Sequence, residues 1–252
     1  MLWQIGPMAR RVEDLIAMMP LLLGPDGEDH TVIPMLYSDV PVGNLRIAYF
    51  TDNGFAEPDA ETQEVVRHAG VALGGIERRP RGIERNYELE MMMLGADGGD
   101  GVREFLRSIG SVRTHPLLDG WLSKLEEYRT DVAGFAAYYA ALDQFRASMH
   151  TFLNEFDAIV SPVSSSAALV HGTSVEEENF KGFSYTMTHN LTGWPAAVVR
   201  CGSTARGLPI GVQIAAAPWR EDIVLAVAGR LEEIFGGWQA PSLIPSITVG
   251  VP

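Results

Sequence analysis

VAGFAAYYAALDQFRASMHTFLNEFDAIVSPVSSS, residues 132–166, contains the change of pattern on which the fold turns. Val132, Phe135, Tyr139, Leu142, Phe145, Met149, Phe152 and Phe156 recur in steps of three and four, laying one apolar stripe along a long helix. The stripe reads as core rather than as a cofactor-binding face. Ala158-Ile159-Val160 then forms a short continuous apolar run ending at Ser161-Pro162, the pattern of a buried strand leaving a sheet. A helix that delivers the chain directly into a buried strand points to an α/β fold.

Working outward, the same alternation continues. Leu15 to Leu23 is a short helix led by Glu13 and Asp14 in its first turn, interrupted by Pro20 and stopped at Gly24-Pro25. Gly24 to Gly43 is a surface loop, and Leu45 to Phe50 a strand. Pro58 to Leu73 is helical up to Gly74-Gly75, with Ile76 to Arg79 as the next short strand. Gly82 to Tyr128 suggests two or three helices broken at Gly98-Gly99 and at His115-Pro116. Ala196 to Cys201 and Ile210 to Ala215 are two strands joined by a turn around Gly207, close enough in sequence for an antiparallel pair at one edge. Ile223, Val227, Leu231 and Ile234 mark a last helix ended by Gly236-Gly237, and the tail from Ala240 runs over the surface. The expectation is an α/β fold, a mixed β-sheet flanked by helices, in a single domain over 1–252.

Composition narrows the function classes. With 46% apolar and 20% charged residues the chain has the material for a packed core. A net charge of −13, with Lys124 and Lys181 the only lysines, argues against a surface built to neutralise phosphates, so no nucleic acid is expected. Cys201 is the single cysteine, which rules out an intrachain disulfide and points to a cytoplasmic location. The first residues lack the apolar core and cleavage site of a signal peptide, and no run approaches the ~20 apolar residues needed to cross a bilayer, so no membrane association is expected.

Common catalytic layouts are missing. Neither lysine sits in a phosphate-cradling loop, and the glycine pairs lack dinucleotide-binding spacing. The six histidines form no metal-binding pair, so no metal and no cofactor are expected. There is no G-x-S-x-G elbow and no serine three residues before a lysine. What remains is Ser161-Pro162-Val163-Ser164-Ser165-Ser166 at the end of the buried strand, where α/β proteins gather ligand-contacting groups. Adjacent serines more often make a loop that satisfies its own backbone. A serine becomes a nucleophile only beside a base, and His171 and His189 are the nearest in sequence. Cys201 reads as a small buried hydrophobe; Asp157, Glu221 and Asp222 sit at element ends, where acids favour helix starts and turns.

Several blocks together resemble the amidase-signature family, whose members hydrolyse amides and sometimes esters with a serine, a second serine in a cis peptide and a lysine. GPMARRVEDL (6–15) is similar to the family's Gly-Pro-Met-Ala-Arg stretch, and FDAIVSP (156–162) to a strand that normally ends in Thr-Pro. NLTGWPAAVV (190–199), GLPIGVQI (207–214) and the helix led by Asp222 and ending in Leu231-Glu232 follow in the family's order. The resemblance implies the C-terminal half of that fold. The family's two catalytic serines and its lysine precede the Gly-Pro-Met-Ala-Arg stretch, so none has a counterpart in these residues, and neither Lys124 nor Lys181 lies in a matching segment.

That difference leaves three readings open. In the first, a hydrolase acts on a small-molecule amide or ester with a substitute nucleophile: Ser161 and Ser164 stand in the Thr-Pro stretch, His189 is the base, and Asn190, Thr192 and Trp194 contact substrate. In the second the chain is a non-catalytic scaffold, and in the third it is one part of a split amidase. A sheet without its other half is expected to expose an apolar face and a free strand edge, covered by a homo-oligomer or a partner chain. Tyr185, Trp194 and Met91-Met92-Met93 are candidates for that face, with core burial as the favoured reading.

Overall fold

The long helix α6 (Val132–Phe152) and the strand β3 (Ala158–Pro162) form where the change of pattern places them. Asp131 starts the helix by accepting a hydrogen bond from the Gly134 backbone N–H at 2.8 Å. Four residues past the helix, Phe156 stacks on Phe152 with ring centroids 4.9 Å apart, folding the chain back before it enters β3. All five residues of β3 are buried. The computed structural model describes residues 2, 5–34 and 37–241.

β3 is the middle strand of a five-stranded mixed sheet in the order β2-β1-β3-β5-β4. β1 (Ile47–Tyr49) pairs parallel with β3, placing Ala48 opposite Ile159, and pairs parallel with β2 (Ile76–Glu77) on its other side. β5 (Pro209–Ala216) runs antiparallel to β3, with Gln213 opposite Ser161, and antiparallel to β4 (Ala196–Ser203). The expected antiparallel pair is present, and β4 forms one edge of the sheet.

Helices cover both faces. On one side α2 (Ala60–Ala72) and α9 (Glu221–Phe235) pack Val66, Ala69, Val227 and Leu231 against Ala158, Val160, Val212 and Ile214. Gly70 of α2 lies against the Tyr49 ring so closely that any side chain there collides with it, so the helix approaches β1 only through glycine. α1 (Val12–Leu22) lies against α9, its first N–H held by Glu232 at 3.1 Å. On the other face Ile159 meets Leu142, Phe145 and Met149 of α6, Leu89 of α3 (Asn86–Gly95), and Tyr185 and Leu191 of α8 (Ser184–Thr192). α4 (Asp100–Ser108) and α5 (Pro116–Leu125) follow α3, separated by the glycine pair and by His115-Pro116 as anticipated. Among the described residues no helix is long and apolar enough to cross a membrane.

Two expectations change and one is met. The α6 stripe is core only from Leu142 onward: Val132 is 86% exposed, Phe135 41% and Tyr139 44%, because the helix runs past the body it packs on. Tyr185, Trp194 and Met91 are buried side chains and not an open apolar face. The segment after the serines, which carried no assigned element, contains α7 (Glu177–Lys181) and α8. α8 mixes serine, threonine, histidine and asparagine with its apolar residues, so it lacks a clean apolar stripe.

The split in α6 is measurable. Leu142→Ala is expected to cost about 2–5 kcal/mol in urea unfolding, as core truncations do. Val132→Ala should stay within about 0.5 kcal/mol. Equal losses at both positions contradict the described packing.

Candidate functional site

β3 carries Ser161 into a polar cluster that the apolar residues of that face enclose. Gln213, across the ladder on β5, donates from Nε2 to Ser161 Oγ at 3.3 Å and to the Tyr185 carbonyl at 3.2 Å. The loop after β1 brings Asn53, whose Oδ1 accepts from the Phe55 and Ala56 backbones at 3.0 and 3.1 Å. Its Nδ2 donates to Ser184 Oγ at 2.9 Å. Tyr185 closes that loop, accepting from the Asn53 N–H at 3.2 Å and donating to the Ala56 carbonyl at 2.7 Å. Asn86, at the start of α3, donates to the Ser184 carbonyl at 2.7 Å and to Thr188 Oγ1 at 2.8 Å, fastening α8 to α3.

α8 supplies the histidine. Tyr185, Thr188 and His189 recur at helical spacing, so one face of the helix points at β3. Gly193 ends the helix in the left-handed conformation, its N–H returning to the His189 carbonyl at 2.8 Å, and this turns Trp194 back against the imidazole with ring centroids 6.4 Å apart. Ser161, His189 and Trp194 line one small cavity together with Asn53, Asn86 and Tyr185. Its volume is about 10 Å³, the space of one water molecule, so it does not hold a substrate as it stands.

The electrostatics follow from enclosure. His189 Nδ1 has no hydrogen-bond partner, and burial lowers the imidazole to about 4, leaving it neutral at pH 7. Ser161 Oγ points at the neighbouring Pro162 carbonyl at 3.3 Å, and no hydrogen bond joins it to His189. Glu90 of α3 is also buried; desolvation raises it to about 7, only partly opposed by Asn190, which donates to it at 3.5 Å, and its second oxygen has no partner.

Of the residues proposed from the sequence, Ser161, His189 and Trp194 come together here. Ser164 sits in the bend after β3 and does not line the cavity. Asn190 faces Glu90, while the Thr192 hydroxyl bonds back to the Thr188 carbonyl at 2.8 Å within its own helix. His171 is exposed in a loop. Lys181 pairs with Glu177 and Glu178 at 2.8 and 3.0 Å, and Lys124 reaches the Val175 carbonyl at 3.4 Å beside the Phe180 ring. Sequence reasoning missed Asn53, Asn86, Glu90 and Gln213. Gln213 did leave a signal, as the one polar side chain in the interior of an otherwise apolar strand.

The model of the family described as Amidase matches residues 1–225. The chain is 26% identical to human fatty-acid amide hydrolase 2, over 94% of this chain and 49% of that protein. It is 28% identical to one subunit of the glutamyl-tRNA(Gln) amidotransferase of Gloeobacter violaceus, over 91% of this chain and 54% of the relative. A solved fatty acid amide hydrolase superposes with a TM-score of 0.76 at 23% identity, covering 92% of this chain and 48% of that one. The chain thus spans about half the length of the relatives it matches.

His189 and Glu90 make stability depend on pH in opposite senses. His189, lowered from 6.5 to about 4, contributes stability that is full above 6.5 and is lost as pH falls toward 4. Glu90, raised from 4.5 to about 7, contributes stability that is full below 4.5 and is lost as pH rises toward 7. At about 1.4 kcal/mol per pH unit each effect is on the order of 3 kcal/mol, and the two oppose each other over most of the window. Glu90→Gln should therefore leave stability rising across pH 4–6.5, and His189→Gln should leave it falling across pH 4.5–7. Urea melts across that range check it; slopes of the same sign in both variants reject the assignment.

Proposed function

Because the chain belongs to the amidase family, whose model spans residues 1–225, we propose that it forms the substrate-holding half of an amide-bond hydrolase and takes its nucleophile from a segment outside these 252 residues. The state of His189 carries this reading. A general base works best with a pKa near the operating pH and within hydrogen-bond reach of the proton it removes. His189, held near 4 and not bonded to Ser161, meets neither condition. The lysines give no alternative, since Lys181 is paired with two glutamates and Lys124 sits against a ring and a carbonyl.

Amide chemistry is common to the names of the relatives, and one of them works by name within a larger amidotransferase. We take the substrate to be a small amide or ester, with Trp194 as an apolar wall and Asn190 and Thr192 at the end of α8 nearest to it. No cofactor enters the reaction in this reading. In isolation the chain then gives no turnover.

A second reading keeps Ser161 as nucleophile with His189 as its base, and Ser164 as the alternative serine. The cavity the first two share favours it. It requires the imidazole to move onto the hydroxyl and regain basicity when substrate enters.

Turnover of a p-nitrophenyl ester and a p-nitroanilide by the purified chain, with a serine-reactive phosphonate and mass spectrometry of the product, separates the two. The expected result is no turnover above buffer, no label on Ser161 or Ser164, and no change in Ser161→Ala. A stoichiometric label on Ser161, lost together with activity in Ser161→Ala, establishes the second reading instead.

A further inference from the structure

α8 is a nine-residue helix without a clean apolar stripe, and the elements around it hold it by hydrogen bonds. Gln213 donates to its Tyr185 carbonyl, and Asn53 to its Ser184 hydroxyl. At its other end Arg146 of α6 donates from Nε to the Leu191 carbonyl at 2.7 Å, where the helix dipole favours a cation. Along one side α3 presents Asn86 and, one turn later, Glu90. Asn86 holds Ser184 and Thr188, and Glu90 Oε1 accepts from Asn190 Nδ2. The two helices therefore meet along a polar seam, inside a layer that Leu89, Leu142 and Leu191 make apolar.

Glu90 is the weak member of that seam. Its residue is 3% exposed, its one hydrogen bond is long at 3.5 Å, and Oε2 has no partner. A neutral carboxyl tolerates such a place, whereas a carboxylate loses its hydration there unless a cation replaces it. None is at hand. On α6, Arg146 is spent on the Leu191 carbonyl and lies 3.7 Å from Asp143, and His150 is exposed. On α5, Lys124 reaches the Val175 carbonyl and Asp119 is exposed. The turns Ile83–Arg85 and Glu126–Tyr128 beside α3 carry Glu84, Arg85, Glu126 and Glu127, all exposed, and Tyr128, whose phenol burial keeps protonated. On α8 itself His189 is neutral and burial holds the Tyr185 phenol protonated. Desolvation accordingly raises Glu90 to about 7, and only Asn190 opposes it.

We propose that Glu90 is a proton-dependent latch between α3 and α8: protonated it keeps the seam shut, and ionised it parts the seam so that water reaches its carboxylate and α8 lifts from β3. The movement reaches the cavity, because α8 contributes Tyr185, Thr188 and His189 to its wall. A space of about 10 Å³, too small for a substrate when shut, gains room as that wall moves away. The latch stands on contacts within the described residues and is independent of where the hydrolytic nucleophile comes from.

The test is native-state hydrogen exchange read by mass spectrometry on the full 252-residue chain, at pH 5 and pH 7.5, with and without dilute urea, after removal of the intrinsic rate. Peptides covering α8 are compared with peptides covering β5. α8 is expected to exchange faster than β5 and almost independently of dilute urea, the mark of a local opening. The ratio of α8 protection in Glu90→Gln to that in the unaltered chain is expected to grow at least about tenfold from pH 5 to pH 7.5. Taking the ratio removes the titration of His189, which both proteins share. Glu90→Met repeats the comparison with an uncharged side chain that needs no hydrogen bond, so a folding defect of the glutamine variant leaves the test intact. A ratio that stays constant overturns the latch, since a packing role alone shifts protection equally at both pH values. Exchange of α8 that steepens with urea as that of β5 does also overturns it, because the helix then opens only with the whole chain.

Discussion

Everything in this molecule is arranged around the burial of β3 on both faces. From Ala158 to Val160 the strand is paired on two sides, parallel to β1 and antiparallel to β5, so its side chains decide what packs above and below. Ala158 and Val160 send one face into the α2–α9 layer, and Ile159 sends the other into the α3–α6–α8 layer. Small and β-branched residues are needed because helices close on both sides. The strand's alternation then carries Ser161 to the same side as Ile159, where most of the polar residues around it are already committed to one another and His189 is not.

That commitment has a cost and a use. Asn53, Asn86, Ser184, Tyr185, Thr188 and Gln213 are buried or nearly so, and each finds a partner, so their desolvation is offset and the relative placement of β1's loop, α3 and α8 becomes specific. His189 and Glu90 are the exceptions, each with one atom unpartnered. Both respond in the way low-dielectric surroundings dictate, by shifting toward their neutral forms. A fully apolar filling of that space is a simpler way to stabilise a core, so two unsatisfied groups in the same layer mark the part of the fold least explained by packing alone.

How far the sequence foretold this depends on which elements report their own neighbours. Periodicity located α6 and β3 because α6 repeats apolar residues at helical spacing and β3 is an apolar run buried throughout, and glycine and proline marked the ends of α2, α4 and α5 because backbone conformation is a local property. The same periodicity overstated the core at Val132, Phe135 and Tyr139, since a stripe records what a helix can bury and not what reaches it. α8 escaped notice because its burial is achieved through hydrogen bonds to residues about 100 or more positions away, such as Asn86 and Asn53, and no window of sequence contains both partners. The site shared that limit: Ser161 and His189 were visible as residue types, whereas the missing hydrogen bond between them and the depressed basicity of the imidazole arise only from tertiary enclosure.

The two ends of the sheet show a related asymmetry. β2 is two residues long and flanked by Arg78 and Arg79, the short, charged kind of edge that discourages pairing with other strands. β4 is eight residues long, exposes Val198, and carries one charge in its regular part, Arg200, which is turned toward Gly237 and Ser203. Only the bulge near Gly202 interrupts it. A chain that blunts one edge has the means to blunt the other. Leaving β4 long and apolar is therefore better explained by pairing than by incomplete protection, as expected of a chain that spans about half the length of its relatives.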